Sequence, residues 1–168
     1  MSAYGKVAIV IGSRSDYDVV KPAVSVLDSF GVESEVRVIS AHRTPTEAHD
    51  FAVNAEKLGF EVLIGVAGKA AHLAGVLAGY TTLPVIALPV ATSFMGGLDS
   101  LLSMVQMPKG VPVATVAVNG ADNAAILAVQ ILAVKYAELK EKLAAYKEDM
   151  RKKVVNDDIA LRKELRKD

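Results

Sequence analysis

Five short apolar runs, rich in β-branched residues, recur along the chain and limit its fold more than any other feature. They span residues 7–11, 36–39, 62–66, 85–90 and 113–118. Each run is nearly continuous rather than alternating, which is typical of parallel strands buried on both faces. We therefore predict five parallel strands in one sheet.

The segments between these runs have apolar residues at helical spacing. They span residues 17–30, 46–58, 72–79, 98–105 and 123–132. Strands that alternate with helices form an α/β sandwich with right-handed crossovers. Thr44-Pro45-Thr46-Glu47 resembles a capping box with Thr44 as the helix cap, and Gly31 and Gly59 lie where helices should end.

We expect the chain to divide into an α/β domain, residues 1–134, and a C-terminal helical arm, residues 135–168. The arm is highly charged and places residues 136, 139, 143, 146 and 150, all apolar, on one helical stripe. That stripe packs on its own domain or on a neighbouring subunit, which would make it an oligomerisation arm, or else the segment is a solvated C-terminal helix. After Val155 we expect the end of the chain to be frayed.

Composition excludes several classes of function. The 168 residues carry no net charge and no cysteine, and aromatic residues make up 5%. The chain has neither a strongly basic segment nor many aromatic side chains for base stacking, which disfavours nucleic-acid binding. No apolar stretch is long enough to span a membrane. The N-terminus has no targeting pattern, so we expect a cytoplasmic protein. Three histidines on separate elements do not predict a metal site or a cofactor.

Polar residues follow the first three predicted strands, where parallel sheets bind their ligands. The first loop, Gly12-Ser13-Arg14-Ser15-Asp16, offers hydroxyls and backbone N–H groups at a helix start, which suit a phosphate monoester. Walker and dinucleotide-binding patterns are absent. Asp16 suits a ribose diol, although Ser15 or Asp16 could equally act only as helix caps.

The second and third loops supply the candidate chemistry. Ser40-Ala41-His42-Arg43 places a proton carrier next to a guanidinium that can bind phosphate or carboxylate. Ala67-Gly68-Lys69-Ala70-Ala71-His72-Leu73 offers small residues whose backbone can approach a small anion, or else His72 is a structural cap. Without a Gly-x-Ser-x-Gly elbow, Ser–His nucleophilic catalysis is disfavoured.

These three motifs, together with Val105-Gln106-Met107-Pro108-Lys109-Gly110-Val111-Pro112-Val113-Ala114-Thr115, resemble the PurE family of purine biosynthesis. The resemblance runs in order from about residue 6 to residue 150. It implies a flavodoxin-like three-layer sandwich and a homo-octamer built through interlocking C-terminal helices, with active sites shared between subunits.

The resemblance also implies a reaction. Class I members are N5-carboxyaminoimidazole ribonucleotide mutases, which produce 4-carboxy-5-aminoimidazole ribonucleotide, and class II members carboxylate aminoimidazole ribonucleotide with free CO2. Ala70-Ala71-His72 and Ser40-Ala41-His42-Arg43 resemble class I. The alternatives are a class II carboxylase and a mononucleotide-binding module without catalysis.

By the same resemblance, His42 is the general acid and base, and the other site residues bind substrate. The phosphate would be bound by Ser13, Ser15, Ser40 and Arg43, and the ribose by Asp16. The migrating carboxyl would be bound by Gly68, Ala70, Ala71, His72 and Leu73. Lys69 and Ala74 depart from the family pattern, which usually has Gly and Pro there. A positive φ at position 69 would strain a lysine.

Overall fold

A computed structural model describes residues 4–166 and places a five-stranded parallel sheet between two layers of helices. The strands are β1 (Lys6–Ile11), β2 (Glu33–Val38), β3 (Phe60–Ala67), β4 (Val85–Pro89) and β5 (Ala114–Thr115), in the order β2-β1-β3-β4-β5. This flavodoxin-like order confirms the predicted fold class.

Within residues 4–166, six α-helices connect and cover the strands. They are α1 (Tyr17–Phe30), α2 (Pro45–Asn54), α3 (Leu73–Tyr80), α4 (Leu98–Val105), α5 (Ala121–Leu132) and α6 (Ala137–Leu165), and a 3-10 turn at Arg14–Asp16 precedes α1. Helix α1 ends at Gly31, whose φ of 76° is the left-handed conformation expected at such a stop.

Two elements are shorter than the sequence predicts. Helix α2 ends at Asn54 and continues as turns to Gly59, which has a φ of 84°. Strand β5 pairs with β4 only at Ala114 and Thr115, although the Val116 N–H still donates to the Ala87 carbonyl at 3.0 Å. The chain then leaves the sheet and reaches Asn119, whose φ is positive.

The core has two parts, one on each face of the sheet. In β1, Val7, Ile9 and Ile11 face α1 and α5, whereas Ala8 and Val10 face α2 and α3. All five side chains are fully buried. Burial on both faces is the physical reason why the strand sequence is apolar at every position.

Helix α6 packs its first half on its own domain. Leu139 and Leu143 are buried, and Tyr136 and Tyr146 pack against the same core. Near the start of α6, the carboxylate of Glu61 accepts hydrogen bonds from Lys135 Nζ at 2.8 Å and from the Tyr136 hydroxyl at 2.6 Å. Partial burial alone would raise the pKa of Glu61, but these two hydrogen bonds lower it below its usual value.

The second half of α6 extends away from the domain. The structure continues the helix to Leu165 and does not show the frayed end expected after Val155. Ion pairs one turn apart, Glu148 with Arg151 and Asp158 with Arg162, support it along its surface. Among the described helices, none is both long and apolar enough to cross a membrane.

Helix α3 lies directly on β3 because Gly65 has no side chain. A Cβ atom built on Gly65 would lie 2.7 Å from Ala74 Cα and 2.8 Å from Ala74 Cβ. Both residues are buried, so neither the strand nor the helix has open space to move into. This contact fixes the height of the first turn of α3 above the sheet.

We predict that Gly65→Ala destabilises the protein by about 1–3 kcal/mol, because the added methyl group pushes α3 away from β3. Urea unfolding measures the change. The matched control is Gly79→Ala in α3, where a Cβ meets nothing within 4 Å and alanine should be neutral or stabilising. Equal stability of the two variants would contradict the close contact.

Candidate active site

Four loops at the carboxyl end of the sheet surround a cavity of about 650 Å³. The structure places ten of the eleven predicted site residues in its wall: Ser13, Ser15, Asp16, Ser40, His42, Arg43, Gly68, Ala70, His72 and Leu73. Ala71 is the exception. Its side chain is buried in the core beneath the third loop, so it does not face the cavity.

The first loop folds around Ser13. Its hydroxyl oxygen accepts hydrogen bonds from the Ser15 backbone N–H at 3.3 Å and from the Ser15 hydroxyl at 2.9 Å. Ser13 therefore caps the 3-10 turn before α1, a turn that the sequence did not predict. Asp16 takes the N-cap position of α1 without a side-chain capping bond, and its carboxylate lines the cavity.

The second loop is closed by Thr44. The Thr44 hydroxyl accepts from the Ser40 N–H at 2.9 Å and donates to the Ser40 carbonyl at 3.0 Å. Thr44 is the N-cap residue of α2, but its side chain makes no capping hydrogen bond, so the predicted capping box is wrong. The hydroxyl instead holds the two ends of the His42 loop together.

Arg43 joins the first two loops. Its Nη2 donates to the Gly12 carbonyl at 3.0 Å, and its Nε lies 3.4 Å from the Ser40 hydroxyl oxygen. A guanidinium has five N–H donors, so several remain for an anion in the cavity. Because the side chain is tied to both loops, its position requires little reordering when such an anion binds.

His42 and His72 meet across the cavity. Nε2 of His42 lies 2.9 Å from Nδ1 of His72, and the rings stand nearly edge to face at 73°. One ring nitrogen must donate and the other accept, so the two facing atoms share a single proton. His72 makes no side-chain capping bond to α3. Its contact is with His42, which sets aside the interpretation as a structural cap.

The third loop adopts the backbone conformation that the sequence raised as a source of strain. Lys69 has a φ of 59°, in the left-handed region. Next to it, a Cβ on Gly68 would lie 3.3 Å from the Thr92 methyl carbon. The loop thus passes close to the β4 end while turning Lys69 toward the cavity wall.

Sequence reasoning missed a fourth loop, residues 90–93, which completes the cavity. The Thr92 hydroxyl contacts the Asp99 carboxylate at 2.7 Å, and the Ala91 N–H donates to the Asn119 side chain at 2.9 Å. The signal was present, because Ala91-Thr92-Ser93 follows a strand just as the other three loops do.

The fourth sequence motif lies outside the main cavity. Gln106 and Met107 line a smaller cavity of about 420 Å³, which shares His72 with the main one and is bordered by Gly75 of α3 and Leu102 of α4. The two cavities therefore meet at the ring of His72.

The charged groups of the main cavity are unevenly placed. Asp16 and Arg43 belong to the first two loops, and Lys69 belongs to the third. Within residues 4–166, no three His, Asp or Glu side chains group in a way that could hold a metal ion. The arrangement suits an organic anion bound by cations, hydroxyls and backbone N–H groups, with imidazole nitrogens available for proton transfer.

Most of the chain is similar to proteins of one known family. Residues 6–153 match the family model described as AIR carboxylase. The chain is 57% identical to the N5-carboxyaminoimidazole ribonucleotide mutase of Pyrococcus abyssi, over 88% of this chain and 84% of that relative. It is 53% identical to the mutase of the same name from Thermotoga maritima, over 89% and 88%.

A solved structure shares the fold. The crystal structure of Treponema denticola PurE superposes with a TM-score of 0.84 at 30% sequence identity, over 91% of this chain and 96% of that one.

Proposed function

The chain belongs to the AIR carboxylase family, and from that premise we propose that it is an N5-carboxyaminoimidazole ribonucleotide mutase of purine biosynthesis. The substrate would carry its carboxyl group on a nitrogen, and the product would carry it on C4 of the same imidazole ring. The observation that carries the proposal is the meeting of His42 and His72 at 2.9 Å in a cavity lined by hydroxyls and Arg43.

The first two loops suit the phosphate end of this substrate. The hydroxyls of Ser13, Ser15 and Ser40, the free N–H groups of Arg43 and the backbone at the start of α1 can all donate to a phosphate dianion. Asp16 makes no capping bond and can accept from a ribose hydroxyl. In this placement, the imidazole ring lies over the two histidines.

His42 first donates one proton to the substrate and later accepts one from it. It protonates the carbamate nitrogen as the N–C bond breaks, and CO2 is released into the cavity. C4 of the ring then attacks CO2, a C–C bond forms, and His42 takes the proton that leaves C4. His72 positions the His42 ring through the proton they share. The third loop keeps CO2 close to C4, because CO2 that escapes is diluted into solvent.

We predict that His42→Asn lowers turnover by about 10²- to 10⁴-fold while nucleotide binding persists. The variant retains the residues that bind the phosphate but has no proton carrier. The measurement supplies N5-carboxyaminoimidazole ribonucleotide to purified wild type and variant. The matched control is His49→Asn on α2, whose ring contacts Asp50 and Tyr80 outside the cavity wall.

The same assay distinguishes the alternatives. The wild type should consume the N-carboxylated substrate and should not carboxylate aminoimidazole ribonucleotide supplied with bicarbonate. Turnover of only the second substrate pair would identify a carboxylase that uses free CO2. Tight nucleotide binding with no turnover of either would identify a binding module, and normal turnover by His42→Asn would remove His42 from the mechanism.

We also propose a cytoplasmic homo-octamer joined through the second half of α6. His42 and His72 are exposed in the single chain, so retention of CO2 requires a cover beyond the four loops. Met150, Val154, Leu161 and Leu165 lie on one exposed stripe that continues the buried stripe of Leu139 and Leu143. An apolar stripe with no partner on its own domain favours contact with another copy.

We predict that Met150→Gln/Val154→Gln/Leu161→Gln shifts the particle to a smaller assembly, as measured by multi-angle light scattering. Glutamine preserves helix propensity while removing apolar contact area. The control is Val155→Gln/Ile159→Gln, which changes exposed apolar residues on the opposite side of the same helix. An unchanged mass for the first variant would leave α6 as a surface helix only.

A further inference from the structure

We infer that Lys69 binds the carboxyl group that is transferred, and that it sets the preference of the cavity for carboxylated over uncarboxylated nucleotide. The inference rests on the proposed function and adds a specificity-determining residue to it. Three observations on the described residues support it: the backbone conformation of Lys69, the absence of a partner for its ammonium, and the position of the other cation.

The left-handed backbone conformation of Lys69 is energetically unfavourable. A left-handed conformation costs a residue with a Cβ about 1–2 kcal/mol, and only glycine adopts it freely. Among residues 4–166, two other non-glycine residues have a positive φ, and neither lies in the cavity wall. Met95, with a φ of 45°, is in the turn after the fourth loop, and Asn119, with a φ of 57°, accepts a side-chain hydrogen bond from the Ala91 N–H at 2.9 Å. Asn119 thus has a structural role, whereas Lys69 makes no comparable bond. Strain that persists without a structural partner points to a role toward a ligand.

The ammonium of Lys69 is available. It has no hydrogen bond or ion pair with any residue between 4 and 166. The nearest residues along its loop are Gly68, Ala70 and the buried Ala71, none of which offers a side-chain acceptor. Asp16 is the carboxylate in the cavity wall, and it belongs to the first loop rather than the third. A cation in this position gains most from an anion brought by the ligand.

The two cations of the cavity match the two anionic groups of the substrate. Arg43 is tied to the Gly12 carbonyl and the Ser40 hydroxyl, at the loops that suit phosphate. Lys69 belongs to the same loop as His72, whose Nδ1 is 2.9 Å from the proton carrier His42. A nucleotide held by its phosphate at Arg43 therefore has its reacting end toward His42 and the Lys69 loop.

The charge of the bound group defines what Lys69 contributes. The carbamate and the C4 carboxylate are anions, whereas the CO2 between them is neutral. Lys69 therefore stabilises the two bound ends of the reaction more than its middle. Such an interaction tightens the binding of both carboxylated nucleotides and does not lower the barrier to breaking the bond. Aminoimidazole ribonucleotide lacks the carboxyl group and should bind independently of Lys69.

The test compares the dissociation constants of aminoimidazole ribonucleotide and its 4-carboxy derivative by isothermal titration calorimetry. Lys69→Met, which keeps the side-chain length without the charge, should weaken the carboxylated nucleotide about 10- to 100-fold and change the uncarboxylated one less than about 2-fold. Lys69→Arg should retain the preference. The control Lys57→Met changes an exposed lysine outside the cavity wall and should alter neither constant.

Equal affinities of wild type and Lys69→Met for the carboxylated nucleotide would overturn the inference, as would an equal loss for both nucleotides. Lys69→Gly separates strain from charge, since it should lose the preference while raising the unfolding temperature. Failure of the proposed function is seen separately, as absence of turnover by the wild type. The dissociation constants report on Lys69 whether or not that turnover occurs.

Discussion

The contact between Gly65 and Ala74 determines where the rest of the site can be. A Cβ atom at position 65 would lie only 2.7 Å from Ala74 Cα. Because glycine has no Cβ, the first turn of α3 can pack directly against β3. His72 immediately precedes that turn, so the height of the turn sets the position of its ring relative to His42. A larger residue at position 65 would lift α3 and lengthen the 2.9 Å separation of the two ring nitrogens. The contact between His42 and His72 thus depends on a packing contact in the core.

The second constraint is the tie between loops. Thr44 closes the His42 loop on Ser40, and Arg43 links that loop to Gly12. The Thr44 hydroxyl does not cap α2 but closes its own loop, and Arg43 fixes that loop against the first one. A site organised in this way is ordered before substrate arrives, which lowers the entropy cost of binding.

The sequence was sufficient to predict the parallel sheet, because a strand between two helix layers is apolar on both faces: Val7 and Ile9 face one layer and Val10 faces the other. Ten of its eleven predicted site residues line one cavity, because parallel strands end at a common edge. It did not predict that Thr44 would turn away from α2, since the same hydroxyl can bond to either partner. Nor did it show that the stripe of α6 divides, with Leu143 buried and Met150 exposed, because that depends on where the domain surface ends.

The central claim is that one carboxyl group passes from nitrogen to carbon without leaving the cavity. The most direct test supplies N5-carboxyaminoimidazole ribonucleotide with a ¹³C-labelled carboxyl group in buffer that contains unlabelled bicarbonate and carbonic anhydrase. Mass spectrometry of the 4-carboxy product should find the label retained. A product carrying the isotope ratio of the bulk bicarbonate would show that CO2 escapes before C4 attacks it, and would contradict the claim.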